Sequence, residues 1–364
     1  MKTINTKYLP GTDHLRAFAA FLIIMYHSSH RYTNIFANSE GWIIASNPVT
    51  AMIFEGHTAV ALFMVLSGFI FTYGMYDKEI KYLSFIRNRL LRIYPLFVFL
   101  LFISIYIYKD NASFLSVIQI LFQFQDIHHP FNQGVFTQVF WAISVEFQFY
   151  LVFPFLLVFL QKYGVKYIVY VILLMVVFRL SIVLLNVETS IRDLSYWTII
   201  GRFDQFLIGM ISAVLFIKSN NKKKLWFYLL MLSIFILGIT IWVFNNLGGW
   251  PVESDWKIIW PTIEGLVWAL FLVAYNKVFL VNSNAIQKFL SKIGDVSYSM
   301  YLLHVSILTI CLKHQVFFHT WMNATKSAML NSLLIVIPAS ILISFLTFNI
   351  IEKPFLELRK KYTK

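Results

Sequence analysis

The sequence predicts an all-α polytopic membrane protein, a bundle of about ten transmembrane helices with both ends in the cytoplasm. Three observations predict it. Of 364 residues, 59% are hydrophobic and 13% are charged, roughly half the charge of an ordinary soluble domain. The apolar residues gather into runs of about the 20 that a helix needs to cross a bilayer. Short segments rich in Lys and Arg separate those runs, which is how orientation in a membrane is set. The net charge of +13 is therefore parcelled among loops and does not form a nucleic-acid-binding face. The single cysteine, Cys311, excludes an internal disulfide and a cysteine-based metal site, and no metal site is expected. Alternating-strand patterning is absent, which argues against a β-barrel.

In chain order, spans are predicted at 14–30, 55–76, 92–108, 138–160, 165–187, 198–217, 225–245, 258–276, 296–313 and 329–351. No small-residue cleavage site follows the first run, so it is expected to remain as a span. The stretch 112–125 is apolar but short, and is expected to be buried or interfacial. With the N-terminus in the cytoplasm, most of the 30 Lys and Arg fall on the inner side. The outer segments then carry Trp42, Trp197, Trp250 and Trp256, read as interface anchors. There is no internal repeat, long linker or appended soluble domain, so 1–364 reads as one domain.

Against this background, polar groups inside spans need a reason, because they are costly there. Arg16 and His27 are eleven residues apart in one apolar run, on one helix face and roughly 16 Å apart along the axis. Either could be structural: Arg16 by snorkelling to the headgroups, His27 as an interfacial imidazole. Together they offer a cation at one surface and a titratable base near the other. The loop FIRNRLLRIYP carries Arg87, Arg89 and Arg92, and paired guanidinium forks suit phosphate oxygens. Orientation anchoring or anionic-lipid contact is the plainer reading.

Glu146, flanked by aromatics within a span, must be neutral or paired. His27 at similar depth is the expected partner, since a carboxylate beside an imidazole makes a general base. An ion pair with Arg179 or Arg202 is the structural alternative. Arg202 and Asp204 in GRFDQFLIGM are either a salt bridge or a substrate contact. Tyr298, Tyr301 and His304 lie in SYSMYLLH, and Tyr301 and His304 share a face. They line a polar cavity or satisfy one another. In FMVLSGF, Ser67 and Gly68 permit close helix approach or a kink, and Ser67 lacks the context of a nucleophile.

These segments together resemble the acyltransferase 3 family of bacterial membrane O-acyltransferases. DHLRAFAAFLIIMYH is similar to the family's first span, with its R-x10-H motif on Arg16 and His27. GHTAVALFMVLSGFI resembles the second span, FIRNRLLRIYPLF the R-x-x-R loop on Arg89 and Arg92, and FWAISVEFQFYLVFP the span with an acidic residue, Glu146. GRFDQFLIGM, SYSMYLLH and IEKPF also look like family segments, and the likeness runs from about residue 8 to 356. His14 stands where the family usually has glycine, and Ala61 where an acidic residue is common.

The resemblance implies a bacterial inner-membrane enzyme that moves an acyl group, usually acetyl, from cytoplasmic acyl-CoA to a hydroxyl of an extracytoplasmic or lipid-linked glycan. Acyl-CoA is then the donor substrate, and no permanently bound cofactor is implied. Arg16, Arg87, Arg89 and Arg92 would hold coenzyme A phosphates. His27, oriented by Glu146, would take the acceptor proton, either in direct transfer or after carrying the acyl group itself. Some relatives have a further span and an extracytoplasmic domain. This chain is expected to end after ten spans, so that the membrane domain transfers directly. The rival class is a transporter or flippase for a glycan or lipid-linked precursor, which composition alone equally suits.

Overall fold

A backbone in hydrocarbon must satisfy its own N–H and C=O groups, and an α-helix does so within one segment. The computed structural model describes residues 8–38, 41–126, 134–185, 190–281 and 284–363. Among them it is helical throughout, and its one β feature is an isolated bridge between Ile80 and Thr363. The elements that position the site are α1 (Pro10–Ala37), α2 (Pro48–Phe54), α3 (Ala59–Met75), α4 (Tyr82–Ile107), α5 (Phe114–Leu121), α6 (Phe140–Tyr163), α7 (Val165–Leu184), α8 (Ile191–Trp197), α9 (Ile199–Lys218), α10 (Lys223–Asn246), α11 (Trp260–Val278), α12 (Ala285–Asp295) and α13 (Ser297–Lys313). A C-terminal helix, Ala324–Glu357, contains two π-turns, Ser332–Val336 and Phe348–Glu352.

Among the described residues, seven helices are long and apolar enough to span a membrane, or eight if the pair α12 and α13, bent by 70° at one break, counts as a broken span. The chain is thus a multi-pass membrane protein. α1 and α11 fall at two of the expected spans and are 28 and 19 residues long, but lie outside that set. Asp13, Arg16 and Arg31 interrupt α1, and Glu264 and Lys277 interrupt α11. The stretch expected to be buried or interfacial holds the short helix α5. Residues 186 and 187 of the expected fifth span lie outside the described residues.

One expectation is corrected. The arginine segment is not a loop: Arg87, Arg89 and Arg92 lie in the first turns of the 26-residue helix α4. Its N-terminus extends beyond the apolar run because the C-terminal tail supports it. Asn88 Nδ2 donates to Lys360 O at 2.6 Å, and its Oδ1 accepts from Lys360 N at 3.1 Å. Lys81 N donates to Tyr362 O at 2.8 Å, and the Tyr362 ring packs on Phe85 at 5.4 Å.

The bundle's tightest seam joins α3 to α9. A Cβ on Gly68 would sit 2.0 Å from Phe206 O, and one on Gly209 2.2 Å from Val65 O. Only glycine lets the two backbones touch in this reciprocal way. The seam holds α3, and so Ser67, in place against α6.

Candidate active site

The N-terminal halves of α1 and α4, the middle of α3 and α6, and the start of α13 enclose a cavity of about 860 Å³, counted out to its open mouth. Arg16, Arg89 and Arg92 line it, with Ser67, Glu146, Tyr150, Tyr298 and Tyr301. Side chains from five helices, all but Tyr150 singled out in the sequence, therefore share one space.

The three arginines are held differently. Arg16 Nη1 donates to Asp13 Oδ1 at 3.0 Å, one turn back on the same helix. Arg92 Nη1 lies 3.3 Å from Glu352 Oε2, Nη2 donates to Asp295 O at 3.4 Å, and the guanidinium sits 5.4 Å over the Tyr298 ring. Arg89 has no carboxylate within ion-pair reach among the described residues. It lies over Phe71, Phe85 and Tyr150, at 4.9, 5.5 and 5.8 Å from the ring centroids, and its buried Nε has no hydrogen-bond partner. A half-buried cation flanked by aromatic faces, with no carboxylate partner, retains its attraction for an anion.

A further cation at this mouth was not legible as a site residue. Arg359 follows the last helix, and its guanidinium is pushed down to about 10, first by burial and then by the nearby Arg89 and Arg92. Like charges crowded together repel, so the mouth favours the approach of an anion. Arg87 is solvent-exposed and does not line the cavity. Two residues from Arg89 on a helix, it points to the other face.

Glu146 does not pair with His27, contrary to the expectation. Its Oε1 accepts from Ser67 Oγ at 2.6 Å and from the Tyr150 hydroxyl one turn further along α6. The alternative pairing with Arg179 or Arg202 is not formed either. Arg179 Nη2 binds Asp204 Oδ2 at 2.9 Å, and Arg202 Nη1 binds Glu264 Oε2 at 2.9 Å. All four of those groups are buried. Arg202 and Asp204 are thus members of two separate ion pairs and do not line this cavity.

His27 lies on the other side of a layer of rings. Tyr301 lines the cavity and donates its hydroxyl to Val139 O at 3.2 Å. Its ring centroid is 5.9 Å from that of His304, which is 5.1 Å from that of His27. His304 Nδ1 donates to Tyr301 O at 2.6 Å, which leaves Nε2 as a bare acceptor, buried and without a partner. His27 is half-buried. Four residues on, Arg31 bridges to Thr309 Oγ1 and Gln138 Oε1 at 3.2 and 3.4 Å. The site therefore has two compartments: an arginine- and glutamate-lined cavity, and an imidazole pair beyond Tyr301.

A family model described as "Acyltransferase domain" matches residues 9–349, which include every residue lining the cavity. The chain is similar to the O-acetyltransferase OatA of Staphylococcus aureus strain NCTC 8325 / PS 47 and of strain COL. Each is 26% identical over 349 residues, covering 84% of this chain and 52% of the relative. The chain spans about half the length of the curated relatives it matches. No solved structure matches it.

Proposed function

The chain belongs to the acyltransferase 3 family, and from that premise we propose that it is a membrane O-acetyltransferase. It takes the acyl group from cytoplasmic acyl-CoA and delivers it to a hydroxyl of a cell-surface or lipid-linked glycan at the inner membrane of a bacterium. One observation carries this reading: Arg16, Arg89 and Arg92 open into the same cavity that holds Glu146. The uncompensated Arg89, with Arg359 beside it, suits the phosphates of coenzyme A. Ten crossings and cytoplasmic termini are part of the proposal. In its support, both described chain ends meet the arginine-bearing end of the bundle, Arg16 within the cavity and Lys360 on Asn88. Two ends at one face require an even number of crossings.

In the proposed reaction the thioester extends from the arginines past Glu146 to Tyr301, whose ring must swing aside to admit it to His27. The acceptor hydroxyl oxygen attacks the thioester carbonyl, and its proton passes to His27. The carbon–sulfur bond breaks, and the departing thiolate recovers that proton. His304, held by Tyr301 O, keeps a bare nitrogen beside the His27 ring and positions it. Glu146 acts as a positioning residue that fixes Ser67 and Tyr150 along the passage.

The test compares O-acetyl signals in glycan NMR from cells with the chain, without it, and with His27→Ala at equal protein level. Loss of those signals in the latter two supports the reading. Unchanged O-acylation in His27→Ala removes it.

A further inference from the structure

Glu352, in the IEKPF segment, is a wholly buried carboxylate that the reaction above does not use. A carboxylate inside the bundle is costly unless it is paired. Glu352 closes the π-turn Phe348–Glu352 of the C-terminal helix, a kind of turn often found at functional sites. Ile350 and Lys353 on either side of it are exposed, while Glu352 is turned inward.

Two helices that wall the cavity meet at this carboxylate. Its Oε2 lies 3.3 Å from Arg92 Nη1 on α4, and its Oε1 accepts from Ser299 Oγ on α13. Next to Ser299, Tyr298 lays its ring 5.4 Å from the Arg92 guanidinium and donates its hydroxyl to Ile93 O at 2.7 Å. Asp295 O accepts from Arg92 Nη2 at 3.4 Å. The guanidinium is thus held from several sides by residues of α13, the end of α12 and the C-terminal helix.

This pair differs from Arg179–Asp204 and Arg202–Glu264, in which neither side chain is more than 2% exposed. Here the carboxylate is 0% exposed and the arginine 25%. Arg92 lines the cavity and Glu352 does not. Glu352 therefore stands behind the guanidinium as seen from the cavity, and it acts on a ligand there only through Arg92. A carboxylate so close also offsets part of the arginine's attraction for an anion. What it supplies in return is orientation. A free arginine side chain samples many rotamers, and a guanidinium fork already held in one of them loses less freedom on binding.

We propose, on the donor reading of the arginine mouth, that Glu352 is a positioning residue that keeps the Arg92 fork turned toward a phosphate group of the acyl donor. Arg89 supplies uncompensated charge at the mouth, and Arg92 supplies a fixed direction.

The experiment titrates acetyl-CoA calorimetrically into the full chain in nanodiscs and into variants at matched folded content. Glu352→Ala binds about tenfold more weakly, the cost of ordering one long side chain. Glu352→Gln stays within about twofold of the intact chain, because its amide oxygen still accepts from Arg92. In an Arg92→Gln background, Glu352→Ala costs nothing further, since no fork remains to be aimed. Should Glu352→Ala not fold, Glu352→Asp carries the same prediction, being charged but too short to reach Arg92 and Ser299 together. Equal or tighter binding by Glu352→Ala, beside an intact chain that binds, would overturn the proposal and leave the donor reading standing. So would an equal loss in the Arg92→Gln background, or a Glu352→Gln variant as weak as Glu352→Ala. No binding by the intact chain would overturn both.

Discussion

Arg179 and Arg89 are both arginines in the membrane-embedded bundle, and their surroundings are opposite. Arg179 is fully buried and spends its donors on Ile258 O, Ile200 O, Gly201 O, Asp204 and Thr262. Its neighbour pair Arg202 and Glu264 is likewise buried and ion-paired, with Gln205 also donating to Glu264 Oε2 at 2.9 Å. Arg89 has rings around it, an orphaned Nε and a cavity in front. A buried charge whose partners are complete holds helices together. A half-buried charge with no carboxylate partner, facing a cavity, is poised for a ligand. The ion-paired Arg179 and Arg202 thus mark structure, and Arg89, facing the cavity, marks a site.

The largest expected effect pits transfer against stability. His27→Ala should lower O-acetyl transfer per molecule by about 10²–10⁴-fold, with no change in melting temperature, as read by glycan NMR and a thermal scan of the purified chain. Asp204→Ala should do the reverse. It strands Arg179 in the bundle, at a cost of about 3–5 kcal/mol. Expect lower folded yield and melting temperature, with transfer per folded molecule retained. Loss of transfer without loss of stability there would break the distinction.

A smaller effect sharpens it. Arg89→Ala removes no ion pair, so the melting temperature should stay or rise, while acetyl-CoA binding weakens by roughly ten- to a hundredfold, about 1.5–3 kcal/mol for a charge-assisted contact. The smallest effect lies at Lys257, in the segment before α11. Burial pushes the Lys257 ammonium down to about 8 from its ordinary 10.5. Between those pH values the unfolded chain keeps a proton that the folded chain has released. Stability should therefore rise as pH climbs from about 8 to 10.5, and Lys257→Met should lose that rise in melting temperature.

The helix pattern was legible because hydrophobic length is a local property. α3, α6 and α9 fall within a few residues of their expected spans. The first turns of α4 were misread as loop because Arg87, Arg89 and Arg92 look like a connector, and the support from Asn88 and Lys360, 272 residues apart, is not local. Of the two outcomes expected at Ser67 and Gly68, close approach or a kink, the structure shows close approach at Gly68. Most of the cavity's polar members were also visible as polar groups in or beside apolar runs, Tyr150 excepted. Partner choice was not. Glu146 faces α3 while His27 faces α13, and no periodicity reveals which helices are neighbours. Glu264 and Arg359 were passed over, since each looks ordinary beside its sequence neighbours and gains meaning only from Arg202 and Arg89 respectively.

The account turns on the arginine mouth being a donor site. Calorimetric titration of acetyl-CoA into the purified chain, and into a variant carrying Arg89→Gln and Arg92→Gln, tests that directly. Saturable binding by the first, abolished in the second at unchanged folded content, is the predicted result. Equal binding by the two, or none by the intact chain, would contradict it.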